Sequence, residues 1–141
     1  GPGTGIAPFI AFLQERTQLK SHGKNWLFYG AQFRKTDHIY ENELIYFQDN
    51  KVLDKLDIAF SRDQEKKIYV QDKIYEVKSE FFKWIKEGAY LYVCGDAINM
   101  AKDVNLILQK IIQEQLNCSE DNSILYIKNL KKEKRYLLDV Y

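Results

Sequence analysis

A polar stretch near the middle of the chain carries the residue types that bind phosphate. The stretch SRDQEKKIYVQ begins with Ser61 and Arg62 and continues with Lys67, Tyr69 and Gln71 at every second position. Alternate positions of an extended segment share one face, so a cation, an aromatic ring and an amide would line up there. A solvated strand edge with an alternating polar face gives the same pattern, and the residues alone leave both interpretations open.

The first complete apolar run ends without the acidic residue that dinucleotide-binding folds use to bind the ribose of NAD. In a Rossmann unit, an Asp or Glu about 20 residues after the glycine loop bonds the ribose hydroxyl of NAD. Here the run WLFYGAQ ends with Gly30, Ala31 and Gln32. A nucleotide bound at this position is therefore free to carry a phosphate on its ribose 2′ oxygen.

The chain opens on a glycine-rich loop that leads directly into a helical pattern, GPGTGIAPFIAFLQER. Gly1, Gly3 and Gly5 follow a G-x-G-x-G spacing, which differs from the G-x-G-x-x-G dinucleotide fingerprint. Such a loop offers backbone N–H groups to a phosphate, and Thr4 adds a hydroxyl. An ordinary turn before a helix explains it equally well. Because such loops usually follow a strand, we expect the first strand of this unit to precede Gly1.

Three further positions carry chemistry at the ends of predicted elements. Cys94 ends an apolar run, where a cysteine is most often a small buried hydrophobe. Asp103 lies near the start of a predicted helix, where an acid usually complements the helix dipole. The last residues, Asp139 to Tyr141, resemble a frayed tail, although LLDV predicts a buried strand that ties the terminus down.

The composition of the chain limits the classes of function that it can have. The 141 residues form one domain, and the net charge of +1 gives no overall reason to expect a nucleic-acid or membrane partner. The two cysteines have no metal-binding spacing, and His22 and His38 stand apart, so no metal site is predicted. Without an apolar run of membrane length, the sequence favours a cytoplasmic protein.

Strand and helix patterns alternate along the chain. The predicted strands are WLFYGAQ, LDIAFSRD, AYLYVCGD and RYLLDVY, the first of them covered on both faces. The helices are predicted in the intervening stretches, among them one in TDHIYENELIYFQDN and one in DKIYEVKSEFFKWIKEG. The first helix buries Ile6, Phe9, Ile10 and Leu13. This order predicts an α/β fold with a doubly wound parallel sheet between two layers of helices, and with its ligand at the carboxyl ends of the strands.

Five stretches together resemble the C-terminal NADP-binding domain of the ferredoxin–NADP reductase superfamily. They are GPGTGIAPFIAFLQER, NWLFYGAQ, AFSRDQEKKIYVQDKI, YLYVCGDAINMAKDV and RYLLDVY, in this order and spacing. The resemblance covers residues 1–141 and is to the diflavin members, among them the flavoprotein components of sulfite reductases. It implies a three-layer domain whose first strand, FAD-binding domain and FMN-binding domain lie upstream.

The resemblance implies that the nucleotide is NADPH. Ser61 and Arg62 would hold its 2′-phosphate, and Gly3, Thr4 and Asp103 would also belong to the nucleotide site. The surroundings of the phosphate and the adenine, with Tyr69 stacked on the adenine, would be formed by Lys67, Ile68, Tyr69, Val70 and Gln71.

The same resemblance implies a hydride-transfer centre. Cys94 would lie beside the nicotinamide, Asp139 would approach the reacting atoms, and the ring of Tyr141 would stack on FAD. In the parent enzyme electrons would continue through FMN to a sulfite reductase haemoprotein subunit that reduces sulfite to sulfide. Two alternatives stay open: a nucleotide-binding fragment without turnover, and a related diflavin reductase with another acceptor.

Overall fold

A computed structural model describes residues 4–141, and within them the chain alternates between helices and strands as an α/β protein. A 3-10 turn, Thr4–Ile6, precedes the first helix. The elements that follow are α1 (Ala7–Leu19), β1 (Trp26–Ala31), α2 (Arg34–Asp37), α3 (Glu41–Asp49), β2 (Lys55–Phe60), α4 (Val70–Glu76), α5 (Lys78–Lys86), β3 (Leu91–Gly95), α6 (Met100–Leu116), α7 (Glu120–Lys132) and β4 (Tyr136–Val140).

The described residues divide into two compact units, one ending at Lys73 and the other spanning Ile74–Tyr141. In the first unit β1 pairs with β2 in parallel, from Trp26 opposite Lys55 to Ala31 opposite Phe60. Helices α2 and α3 form the crossover between the two strands, as parallel pairing requires. The carboxyl ends of β1 and β2 therefore lie side by side.

The core of the first unit confirms the apolar face predicted for the first helix. Ile6, Ile10 and Leu13 are buried, and Phe9 packs against them half-buried. A proline near the start of α1 suits the first turn of a helix, where its missing N–H costs nothing. The same core includes Leu27, Tyr29, Ala31, Leu44, Phe47, Leu53 and Phe60.

In the second unit β3 pairs with β4, again in parallel, from Leu91 opposite Tyr136 to Gly95 opposite Val140. Helices α6 and α7 connect them and supply most of the buried apolar side chains of this unit. Arg135 anchors the start of β4, because its guanidinium donates to the carbonyls of Ile85 and Ala89 at the end of α5. This arrangement fixes where the carboxyl ends of β3 and β4 lie.

Two helical predictions need correction. The sequence predicts one helix in TDHIYENELIYFQDN, but α2 ends at Asp37 and α3 begins at Glu41. The helix α2 ends where the dihedral angles of His38 leave the helical region, and the Tyr29 hydroxyl donates to the Asp37 carbonyl, which has no partner within the helix. The helix expected in DKIYEVKSEFFKWIKEG is likewise two, α4 and α5, separated at Val77, whose dihedral angles are not helical.

The sheet is less continuous than the sequence predicts. Over residues 4–141 the four strands form two separate parallel pairs, and none of these strands bonds to both pairs. In β1 alternate residues, Leu27, Tyr29 and Ala31, are buried and the others are half-buried, so the predicted cover on both faces is complete on one face and partial on the other. One face of β1 packs on the core of the first unit, while the side chains of the other face remain half-buried.

Candidate functional site

The loop after β2 is fastened to the end of β1 by backbone bonds. The Ser61 N–H donates to the Ala31 carbonyl at 2.9 Å, and the Arg62 N–H donates to the Gln32 carbonyl at 2.9 Å. The Ser61 hydroxyl also reaches the Ala31 carbonyl, at 3.3 Å. Arg62 itself is exposed. The two residues predicted to bind phosphate are therefore consecutive residues at a fixed strand end.

The rest of this loop is not the extended segment that the sequence predicts. Lys67 and Tyr69 precede α4, but Gln71 is already its second residue. The Asp72 carboxylate, on the third residue of α4, accepts a hydrogen bond from the Tyr69 N–H at 2.8 Å, as the residue at this position does in a capping box. Because successive residues turn by about 100° in a helix rather than alternating, Gln71 does not continue the row of Lys67 and Tyr69.

The ring of Tyr69 is available at the surface, since 44% of the residue is exposed. Its neighbours Ile68 and Val70 are both half-buried. A Cβ added to Gly30 in β1 would lie 3.9 Å from the Val70 Cβ, so the start of α4 adjoins the end of β1. These contacts hold an exposed aromatic ring near the strand end that carries Ser61.

The second unit brings Cys94 and Asp139 together across the sheet. They are partners in the β3–β4 register, and the Cys94 thiol donates to Oδ2 of Asp139 at 3.9 Å. Burial raises the pKa of the Cys94 thiol, and the neighbouring carboxylate raises it further. The thiol therefore stays protonated at neutral pH. Such a group suits positioning rather than nucleophilic attack, for which the thiolate is needed.

We expect alkylation of Cys94 by iodoacetamide to require a higher pH than alkylation of an ordinary thiol. A raised pKa in the folded protein favours the protonated form, so this contribution to stability is full below the ordinary thiol pKa and is lost as the pH rises through the folded value. Asp139→Asn should lower the alkylation midpoint, measured by mass spectrometry on a Cys118→Ser background. An unchanged midpoint in Asp139→Asn would contradict the pairing.

The last residue is tied into the same strand end. The Tyr141 N–H donates to the Gly95 carbonyl at 3.1 Å, and its own carbonyl accepts from the Ala97 N–H at 3.0 Å. Its side chain is exposed, at 66% of the residue. The prediction that the terminus is held is confirmed, but its predicted cause is wrong. Leu137 and Leu138 are themselves exposed, so the terminus is held by backbone hydrogen bonds and not by burial of these side chains.

Comparison with known proteins shows the family of this chain. Residues 1–106 match the family model described as the oxidoreductase NAD-binding domain. The chain belongs to this NAD-binding domain family. Across its whole length it is also similar to flavoprotein alpha-components of NADPH sulfite reductase, with 48% identity to that of Vibrio vulnificus, 45% to that of Bacillus subtilis and 49% to that of Zymomonas mobilis. It spans 23% of the length of each of these relatives.

A feature of this NAD-binding domain that the sequence analysis missed is the role of Asp96. Gly95 has a φ of 130°, which suits glycine, and turns the chain out of β3. The Asp96 carboxylate then accepts hydrogen bonds from the N–H groups of Ile98, Asn99 and Met100, and these bonds hold its pKa below the usual range. An acid just before a helical pattern was the available signal.

The remaining predicted residues of the NAD-binding domain are placed as follows. Asp103 is half-buried in the first turn of α6, where its N–H donates to the Asn99 carbonyl. Thr4 begins the 3-10 turn before α1, while Gly3 lies outside the described residues. Ser61, Arg62 and the residues up to Gln71 belong to the first unit, and Cys94, Asp103, Asp139 and Tyr141 belong to the second.

Two further features are absent from residues 4–141 of the NAD-binding domain. No three His, Cys, Asp or Glu side chains cluster there in a way that could hold a metal ion. In the same residues no helix is both long enough and apolar enough to cross a membrane.

Proposed function

We propose that this chain is the NADPH-binding part of a flavoprotein reductase that passes electrons through FAD and FMN to a sulfite reductase haemoprotein. The observation that carries the proposal is the fixed pair of strand ends at β1 and β2. It presents Ser61 and Arg62 and has Ala31 and Gln32 where an NAD site would carry an acid. The sulfite reductase relatives support the choice of acceptor.

The residues at this strand end fit a 2′-phosphorylated dinucleotide. The Ser61 hydroxyl and the Arg62 guanidinium would hold the 2′-phosphate, since guanidinium donors match phosphate oxygens in pairs. Lys67 would add a second charge, and the exposed ring of Tyr69 would stack on the adenine. Ile68, Val70 and Gln71 would complete the surroundings of the adenine. Gly3, Thr4 and Asp103 would also take part in nucleotide binding.

Cys94, Asp139 and Tyr141 would form this chain's share of the reaction centre. When bound, NADPH supplies a hydride to the flavin of FAD. The protonated Cys94 thiol would orient the nicotinamide ring, and the Asp139 carboxylate would favour the positive charge that develops on it. The exposed ring of Tyr141 would cover the flavin. Two backbone hydrogen bonds hold the residue that carries this ring.

The proposal includes a complete fold for the domain. In it the two parallel pairs belong to one doubly wound sheet, with helices on both faces and with a first strand that precedes the glycine loop. Two observations support it: both pairs are parallel, and each is crossed over by helices. FAD-binding and FMN-binding domains would lie upstream. The two cysteines, neither of them in a disulfide, are typical of a reducing compartment and support a cytoplasmic location.

The test uses the full protein that contains this sequence, loaded with FAD and FMN. We expect it to oxidise NADPH in the presence of ferricyanide, and to oxidise NADPH in response to sulfite when a sulfite reductase haemoprotein is added. Ferricyanide reduction without any response to sulfite would assign a related diflavin reductase. Binding of NADPH without reduction of any acceptor would leave only a nucleotide-binding module.

A further inference from the structure

The loop after β1 is joined to the proposed phosphate loop by more than the strand pairing. The Arg62 N–H donates to the Gln32 carbonyl, and the Arg34 N–H donates to the Asp63 carboxylate at 3.1 Å. Each loop thus contributes one donor and one acceptor to the other. Arg34, the first residue of α2, is held within one residue of the Ser61 and Arg62 strand end.

The side chain of Arg34 extends towards the same strand end. Its guanidinium carbon lies 4.8 Å from the centroid of the Phe60 ring, and Phe60 immediately precedes Ser61. The Phe60 ring is buried and makes a T-shaped contact with the His38 ring, at 5.7 Å between centroids. Arg34 is an exposed residue resting on a fixed aromatic surface, so its charge stands beside the loop that carries Arg62.

The charge of Arg34 is not required to join the two loops. Its bond to Asp63 comes from the backbone N–H, which any residue except proline would supply. The acids of these loops accept such backbone bonds: Asp63 from Arg34, and Asp37 from the Phe33 N–H at 2.9 Å. Over Phe60 the guanidinium makes a cation–π contact through its face. A contact through the face does not use the N–H donors at its edge, which could bind a further acceptor.

We propose that Arg34 is a second arginine for the nucleotide 2′-phosphate, supplied from the β1 loop opposite Arg62. This inference rests on the proposed function, because it uses the same phosphate site. Two guanidinium groups from two different loops would grip the phosphate oxygens from two directions. Arg34 is then a specificity-determining residue that separates 2′-phosphorylated nucleotides from those with a free 2′-hydroxyl.

The experiment measures binding of 2′,5′-ADP and of 5′-AMP by calorimetry to the full protein that contains this sequence. Arg34→Gln keeps a planar polar group over Phe60 and removes the charge. We expect it to weaken 2′,5′-ADP binding about tenfold, as for the loss of one charge-assisted contact, and to change 5′-AMP binding less than twofold. Arg34→Lys should bind with intermediate affinity.

Lys35→Ala is the matched control, because Lys35 is the next exposed cation on the same short helix. It should leave both affinities unchanged. If Lys35→Ala and Arg34→Gln lose the same affinity for 2′,5′-ADP, the inference is overturned in favour of a general charge effect. If Arg34→Gln loses the same affinity for both nucleotides, the inference is overturned in favour of a structural role. If Arg62→Ala weakens 2′,5′-ADP binding while Arg34→Gln does not, only the role of Arg34 fails. If Arg62→Ala has no effect, the proposed phosphate site itself fails.

Discussion

Replacing Arg62 and Lys67 together by alanine is expected to weaken NADP⁺ binding by two to four orders of magnitude. Charge-assisted hydrogen bonds contribute about 1.5–3 kcal/mol each, so two of them amount to roughly 3–6 kcal/mol if they add. NAD⁺ has no 2′-phosphate, and its weaker binding should hardly change. Calorimetry on the oxidised full protein, with each nucleotide in turn, measures both values.

Lys66→Ala serves as the matched control, since Lys66 is an exposed cation on the same loop as Lys67. The loss of NADP⁺ affinity in Lys66→Ala should be smaller than that in the double variant by a factor of about ten or more. A factor of ten corresponds to about 1.4 kcal/mol. If the double variant weakens NADP⁺ and NAD⁺ to the same extent, these two cations do not bind the 2′-phosphate. In that case they act on the loop as a whole.

Deleting Tyr141 from the full protein is expected to raise the kcat/KM for NADH relative to that for NADPH about tenfold. An aromatic ring stacked on a flavin contributes on the order of 1 kcal/mol, and the nicotinamide must displace that ring before hydride transfer. Without the ring, the nicotinamide half binds more tightly, and the 2′-phosphate contributes a smaller share of the selectivity. Steady-state kinetics with both coenzymes gives the ratio, and flavin fluorescence reports exposure of the flavin.

Tyr90→Ala is the matched control for this deletion, because Tyr90 is an exposed aromatic residue just before the opposite end of β3. Its ratio of coenzyme efficiencies should equal that of the unmodified protein. The affinity for 2′,5′-ADP should stay the same in both variants, since Ser61 and Arg62 belong to the first unit. An unchanged ratio together with unchanged flavin fluorescence on deletion would mean that Tyr141 has no part in the reaction centre.

Much of the local structure could be predicted from the sequence. All four strands occur where continuous apolar runs predict them, including β1 in WLFYGAQ and β3 in AYLYVCGD. The first helix and the turn before it bury Ile6, Ile10 and Leu13, as their spacing requires. These features depend on the period of apolar side chains within one element, and that period can be read directly from neighbouring residues.

Boundaries set by single hydrogen bonds could not be predicted. The alternation of Lys67, Tyr69 and Gln71 suggests an extended row, yet the Asp72 carboxylate bonds the Tyr69 N–H and a helix begins at Val70. Extended and helical conformations of so short a segment differ little in intrinsic preference, so one cap decides between them.

By itself, the sequence determined the residue types at each strand end: a hydroxyl and a cation at Ser61 and Arg62, and a thiol and a carboxylate at Cys94 and Asp139. Only the tertiary structure decided which of them meet. Cys94 and Asp139 are 45 residues apart and touch because β3 and β4 pair in one particular register. Likewise, Leu137 and Leu138 are exposed although their strand is apolar. Register and burial follow from the packing of α6 and α7 and from the Arg135 anchor, and no local pattern contains that information.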